Sequence, residues 1–270
     1  MDNRPIGIFD SGIGGLTILT EVRARMPGED ILYLGDTARV PYGSRSKRIV
    51  TEYTKEAVRF LLQEGVKAII IACNTASALA MDDLESAVNG TPLFGVVKPG
   101  ARGAAAHTVS GKVGVIGTEA TVRSRAYQTH VRRLKKGAEV IGIGCPLFVP
   151  IIEEGWQNSQ VAMLTAQTYL SGFFQHNIDT LILGCTHYPA MWSTIRQVMG
   201  DTVYLINPAY ETAKEVQTSL REKERLSERE EGGKVRYTVT DSPERFKRVG
   251  GFLITETIYE AEKVELLSNR

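Results

Sequence analysis

Cysteine is scarce in this 270-residue chain: there are three, an odd number, and no two stand in a C-x-x-C pair. That argues against a disulfide framework and for a reducing compartment, so the cytoplasm is the expected location. Histidine is nearly as scarce, with four residues scattered along the chain. Without clustered Cys and His there is no zinc-type ligand set, and no metal site is expected. An excess of charge of one sign is also missing, since the net charge is +1. Neither nucleic acid nor an anionic membrane surface is indicated as a partner. The longest apolar runs fall far short of the roughly 20 residues a membrane span needs. Met1-Asp2-Asn3-Arg4-Pro5 leads straight into a short strand and carries no signal-peptide pattern. A dinucleotide fingerprint is incomplete. Counted from Gly12, the last position of G-x-G-x-x-G holds Thr17, which weakens a Rossmann reading.

What the chain does contain is an alternation of short aliphatic runs with amphipathic stretches. Ile6-Gly7-Ile8-Phe9-Asp10 reads as a buried strand, Ser11 to Gly15 as a glycine turn, and Leu16 to Met26 as a helix. Ile31 to Leu34 is a second strand, running into a polar loop over Gly35 to Gly43. A helix over Ser44 to Glu64, capped by Gly65, follows. Ala68-Ile69-Ile70-Ile71-Ala72-Cys73-Asn74-Thr75 is a third strand ending at a cysteine, and Pro92 to Val96 a fourth. The pattern then restarts. Lys112 to Thr121 matches the first strand and its loop, and Glu139 to Pro146 the second. Thr180-Leu181-Ile182-Leu183-Gly184-Cys185-Thr186-His187 matches the third, and Val203 to Pro208 the fourth. Cys185 stands 112 residues after Cys73; Val149-Pro150-Ile151 echoes Val40-Pro41-Tyr42 at an offset of 109. The period is too long for a solenoid and describes a duplicated unit.

Strands alternating with helices predict an α/β protein of two pseudo-symmetric halves. Each half is a mainly parallel sheet flanked by helices, with the active site between them. The expected boundaries are 1–97 plus 209–270 for the first half and 98–208 for the second. The tail is expected to pack back on the first half. There the sequence predicts a charged helix over Ala209 to Glu231, a strand over Val235 to Thr240, a short helix over Pro243 to Val249, and a last strand at Phe252-Leu253-Ile254. In such sheets ligands bind beyond the carboxyl ends of the strands. Asp10-Ser11, Asp36, Cys73-Asn74-Thr75, Thr118, Cys145 and Cys185-Thr186-His187 all fall there.

A single strand-end cysteine is ordinarily a small buried hydrophobe. Two at equivalent positions, each followed by polar residues, point instead to a pair of reactive thiols. A thiolate serves as a nucleophile, a metal ligand, half of a redox pair or a base. As bases on opposite sides of one carbon, two thiols would invert a stereocentre: one removes a proton while the other returns one. A redox pair and a plain anion-binding protein are the rival readings. Asp10, His187 and Glu153 are candidate proton-handling neighbours. Asp10, Thr118 and Thr121 also suit helix caps, and Tyr42-Gly43 suits a turn. Cys145 matches Asp36, not Cys73, and is read as structural.

The runs Ile8 to Thr17, Gly35-Asp36 with Pro41-Tyr42-Gly43, Ala72-Cys73-Asn74-Thr75-Ala76 and Gly184-Cys185-Thr186-His187-Tyr188-Pro189 resemble the motifs of bacterial glutamate racemases, in the aspartate/glutamate racemase family. Val97-Lys98-Pro99-Gly100-Ala101 and Cys145-Pro146-Leu147 with Glu153-Glu154-Gly155 are also similar. Lys98 departs from the apolar or acidic residue expected before Pro-Gly. The likeness runs from Ile6 to about Pro208. It implies a racemase working without pyridoxal phosphate, metal or other cofactor. The implied reaction joins L- and D-glutamate for peptidoglycan synthesis, and the family allows a homodimer. It further implies that Cys73 takes the proton from D-glutamate and Cys185 from L-glutamate. Substrate binding is implied for Asp10, Ser11, Tyr42, Gly43, Asn74, Thr75, Thr186 and His187, with a threonine at Thr118 or Thr121.

Overall fold

Runs of isoleucine, leucine and valine become strands where both of their faces are covered. The computed structural model, which describes residues 1–88, 90–254 and 256–266, has ten strands among these residues, the central ones of this kind. They are β1 (Ile6–Asp10), β2 (Ile31–Gly35), β3 (Ala68–Ile71), β4 (Leu93–Gly95), β5 (Lys112–Gly117), β6 (Glu139–Gly144), β7 (Thr180–Gly184), β8 (Tyr204–Ile206), β9 (Val235–Val239) and β10 (Glu262–Lys263). Every recorded pairing is parallel. Parallel neighbours require crossover connections, and the crossover helices cover both sheet faces. β1, β2, β3 and β7 are accordingly buried at every residue.

The strands form two sheets, β10-β9-β2-β1-β3-β4 and β6-β5-β7-β8. Without β9 and β10 the first sheet has the strand order of the second, so the repeat seen in sequence is a repeat of topology. The registers make it residue-specific. Phe9 lies level with Ile71 and Leu34, and Ile116 level with Leu183 and Ile143. Asp10 is therefore matched by Gly117, Ser11 by Thr118, Asp36 by Cys145, Asn74 by Thr186 and Thr75 by His187. The backbone agrees: Asp36 N–H donates to Asp10 O at 3.0 Å, and Cys145 N–H to Gly117 O at 2.9 Å.

Some sequence echoes are not structural ones. Leu93 is level with Ile69 and Leu205 with Leu181, so β4 and β8 match Leu93 to Leu205 and not at the offset of 109. Val149-Pro150-Ile151 lies in the helix Phe148–Glu153, whereas Val40-Pro41-Tyr42 is loop.

The tail completes the first sheet. β9 pairs with β2 from Ile31↔Val235 to Gly35↔Val239, and β10 adds outside β9. Helix Pro208–Glu222 buries Ala209, Ala213, Val216 and Leu220 in the core shared with β1 and helix Leu16–Arg25. Three tail expectations need correction. The charged helix stops at Glu222, not at Glu231. Glu224 turns left-handed (φ 54°), and Arg225 N–H and Glu224 N–H cap Leu220 O and Arg221 O. Helix Pro243–Leu253 absorbs Phe252 and Leu253, because Phe246 and Val249 must reach the core on helical spacing. The last strand is instead β10. Residues 267–270, the end of the expected first half, lie outside the described residues.

Gly65 does cap helix Lys47–Gln63: at φ +74° it lets Val66 N–H reach Leu61 O. At the opposite end of the first sheet, Lys67 Nζ is 2.5 Å from Glu29 Oε2, a pair almost wholly buried. Glu29 Oε1 also accepts from Ser227 N–H, tying the segment after helix Pro208–Glu222 to the sheet. Among the described residues no helix is long and apolar enough to cross a membrane.

Candidate active site

In each sheet the chain starts in one strand, adds a second on one side and a third on the other. The crevice lies where that direction switches, between β1 and β3 and between β5 and β7. Cys73 follows β3 and Cys185 follows β7, so each thiol stands at its half's switch point. The two crevices share one cavity of about 480 Å³. The first half lines it with Ser11, Tyr42, Gly43, Cys73, Asn74 and Thr75. The second half contributes Thr118, Glu153, Cys185, Thr186 and His187. Asp10 and Thr121 are buried but do not line the cavity. Of the sequence-derived candidates these two stand behind the wall.

Cys73 caps helix Asn74–Leu79 and is 5% exposed. Its Sγ donates to Ser11 Oγ at 3.3 Å. Burial and the nearby Asp10 carboxylate push its thiol up to about 12, against the pull of Ser11 and of the Ala76 N–H. Asp10 is itself pushed up by burial, although its Oδ2 accepts from Gly12 N–H at 2.9 Å in an Asx-type turn. Its Oδ1 is buried without a hydrogen-bond partner. Asp10 therefore anchors the glycine turn and is not the cap of helix Leu16–Arg25, whose N-cap is Gly15.

Cys185 has different company. A short 3-10 turn, Tyr188–Met191, follows it. Its Sγ is 4.0 Å from His187 Nδ1. His187 Nε2 is 3.2 Å from Glu153 Oε1, and Arg245 Nη2 donates to Glu153 Oε2 at 2.8 Å. Burial pushes the imidazolium down, but hydrogen bonds to Cys185 and Glu153 outweigh it and hold His187 at about 10. Burial raises Glu153, yet His187 and Arg245 bring it below the ordinary carboxylate range. At neutral pH the site thus sets an imidazolium beside one thiol and a carboxyl group beside the other.

The two halves are stitched together around the cavity. The hydroxyls of Thr75, Thr118 and Thr121 form a triangle with sides of 2.9, 3.2 and 3.0 Å. Tyr127 donates to Asn74 Oδ1 at 2.6 Å, which leaves the amide NH₂ as the group Asn74 has to offer. Thr17 Oγ1 donates to Thr186 O at 3.0 Å. Gly14 is required at this seam: a Cβ there would lie 2.3 Å from Thr186 Oγ1 and 2.4 Å from His187 Nδ1. Tyr42 spends its hydroxyl on Asp36 Oδ2 at 2.5 Å. Asp36 also accepts from Arg39 and Thr240, so it holds the loop over the cavity. Cys145 is fully buried away from the cavity among Phe148 and Tyr188, and burial pushes its thiol up.

Arg245 was not among the sequence candidates. It sits on the tail helix, outside every motif, and only the tertiary fold brings it to Glu153. Ser44 and Glu119 also line the cavity without having been singled out.

The family model for Asp/Glu/hydantoin racemases matches residues 17–216. A glutamate racemase of Geobacter metallireducens is 48% identical, covering 97% of each chain. The crystal structure of the Francisella tularensis glutamate racemase in complex with D-glutamate superposes with a TM-score of 0.93 at 40% identity, over the whole of both chains. A Bacillus anthracis glutamate racemase isoform gives a TM-score of 0.94 at 36% identity, over 98% of this chain and 99% of that one. Matched across most of its length by the family model and over nearly all of it by these relatives, the chain belongs to the Asp/Glu/hydantoin racemase family.

Proposed function

We propose that this racemase interconverts L- and D-glutamate by a two-cysteine acid/base mechanism without a cofactor, and supplies D-glutamate for peptidoglycan synthesis in the cytoplasm. The observation that carries the reading is the pair Cys73 and Cys185, at equivalent strand ends of two halves and on the wall of one cavity. For D-glutamate, Cys73 takes the α-proton and Cys185 returns one to the other face. For L-glutamate the roles exchange. An α-proton of an amino acid is very weakly acidic, so the site must stabilise the carbanion-like transition state. Backbone N–H groups after Ser11, Cys73 and Cys185, with the Asn74 amide and the threonine hydroxyls, are the donors available to the two carboxylates. Asp10, behind the cavity wall, acts through the glycine turn that it anchors and through its place beside Cys73. Among the described residues lining the cavity none is a lysine, the residue that carries pyridoxal phosphate as an imine. All three cysteines are free thiols, in keeping with a reducing compartment.

Closure of the halves, 1–97 with 209–270 against 98–208, would expel water from the cavity and strengthen these interactions. The structure of the Francisella tularensis glutamate racemase is a complex with D-glutamate, the substrate proposed here. Purified protein incubated with D-glutamate in deuterated water, free of pyridoxal phosphate, tests the reading. Loss of optical rotation with deuterium at the α-carbon of the L-product is expected, abolished in Cys73→Ala and in Cys185→Ala. Turnover of aspartate alone would replace the substrate, and α-exchange surviving both substitutions would remove the mechanism.

A further inference from the structure

Helix Pro243–Leu253 belongs to the tail, which has no counterpart in the second half. Phe246 and Val249 fasten it to the first half's core, beside Leu16 and Tyr33. Arg245, one residue before Phe246, instead reaches the second half and pairs with Glu153 at 2.8 Å. From there the contacts run unbroken through His187 at 3.2 Å to Cys185 at a further 4.0 Å. A second observation concerns space. A smaller cavity of about 160 Å³, floored by Asp241 and Phe246, adjoins the active-site cavity. Gly12, Val40, Glu153 and Arg245 line both. The Arg245–Glu153 pair is thus part of the wall between the two spaces.

We propose that Arg245 is a positioning residue: it holds Glu153 so that His187 is fixed against Cys185, and with Glu153 it bars the way between the two cavities. This rests on the racemase reading. The physical case is one of geometry. A carboxylate has two oxygens, and here each is committed to a different cation. Arg245 takes Oε2, which turns Oε1 to His187 Nε2. Without the guanidinium, Glu153 is free to rotate about its side-chain bonds, and the orientation of the imidazole loosens with it. Arg245 is itself half-exposed, so the ion pair adds little to stability. Its effect lies in position. Lysine at this place would keep the charge and lose the planar fork.

The groups that face Glu153 are His187 from the turn after β7, Arg245 from the tail helix and, more distantly, the Asp10 carboxyl at the end of β1. Of these, His187 and Arg245 favour its ionised form. Removal of Arg245 therefore shifts protonation of Glu153 to higher pH.

The test uses Arg245→Met, Arg245→Lys, Glu153→Gln and the Arg245→Met/Glu153→Gln double variant in the full chain, with melting temperature as a check on folding. The first readout needs no turnover: alkylation of Cys185 and Cys73 by iodoacetamide, resolved by peptide mass spectrometry. Arg245→Met is expected to slow Cys185 by roughly threefold, the scale of a half-exposed ion pair, and to leave Cys73 unchanged. Arg245→Lys should recover part of that loss. The acid limb of kcat/KM should move to higher pH in Arg245→Met, and the double variant should be no slower than Glu153→Gln alone. Equal slowing of both thiols, an unmoved acid limb, or effects that multiply in the double variant would overturn the proposal. A wild-type protein that leaves glutamate unchanged sinks the glutamate reading, while the alkylation contrast still decides the role of Arg245.

Discussion

The two halves share strand order, register and a cysteine at the switch point, yet they treat their thiols differently. Cys73 has hydroxyl and carboxyl neighbours, Ser11 and Asp10, and among the described residues no cation bonded to it. Cys185 has an imidazolium, itself held by Glu153 and Arg245. The difference comes down to a few matched positions. Thr75 stands where the other half has His187, Asp10 where it has Gly117, and Asp36 where it has Cys145. Duplication supplies two equivalent places for a thiol. Divergence at the neighbouring residues supplies two proton-transfer environments, one holding its proton firmly and one with a cation beside it. For a reaction that must remove a proton on one side and deliver one on the other, that inequality is useful in the resting enzyme.

The comparison is most sharply broken by removing the cation. His187→Gln keeps a hydrogen-bonding side chain and takes away the charge. It should lower kcat/KM by about 10²-fold, the scale of one general acid/base group, in both directions of the reaction. Cys185 alkylation should fall towards the rate of Cys73. The same convergence is expected in the wild type at high pH. The raised His187 pKa means that its pair with Glu153 stabilises the fold in full below the free imidazole value of roughly 6.5. That contribution is lost as the pH climbs through about 10. Alkylation rates of the two cysteines measured from pH 7 upward should therefore draw together through that range. A ratio that stays constant would remove the imidazolium from the account.

A smaller effect is expected at the seam between the halves. Gly14→Ala places a methyl group against Thr186 Oγ1 and His187 Nδ1, so one side must shift. The cost should be roughly 1–3 kcal/mol of stability, with Cys185 alkylation altered and Cys73 spared. Thermal unfolding and peptide-resolved labelling check both parts. The smallest effect belongs to Tyr127→Phe, which frees Asn74 Oδ1 and lets its amide turn. About 1 kcal/mol is at stake, seen as a few-fold rise in KM with little change in kcat.

Much of this architecture was legible in the sequence because parallel, doubly covered strands are written as continuous aliphatic runs. The repeated Cys-Asn-Thr and Cys-Thr-His endings marked both switch points. The matched pair Asp36 and Cys145 was visible too. Legibility failed where tertiary contacts decide. The end of the helix at Glu222 depends on a left-handed Glu224, a residue type with no intrinsic taste for that turn. Phe252 and Leu253 look like a strand, yet they close a helix whose Phe246 and Val249 pack on the core. Arg245 carries no local signal, since its meaning comes from Glu153 in the other half. Tyr42 was read from its motif, but the contact that occupies its hydroxyl lies with Asp36 in the loop before it.

The addition of β9 to β2 also orders events in time. Ile31–Gly35 is bonded on one side by β1 and on the other by Val235–Val239, which the ribosome makes only after every strand of the second sheet. Until then the first sheet presents an open edge, while β5 to β8 form an uninterrupted block of sequence with every strand in hand. The half whose synthesis begins first is the half that is finished second.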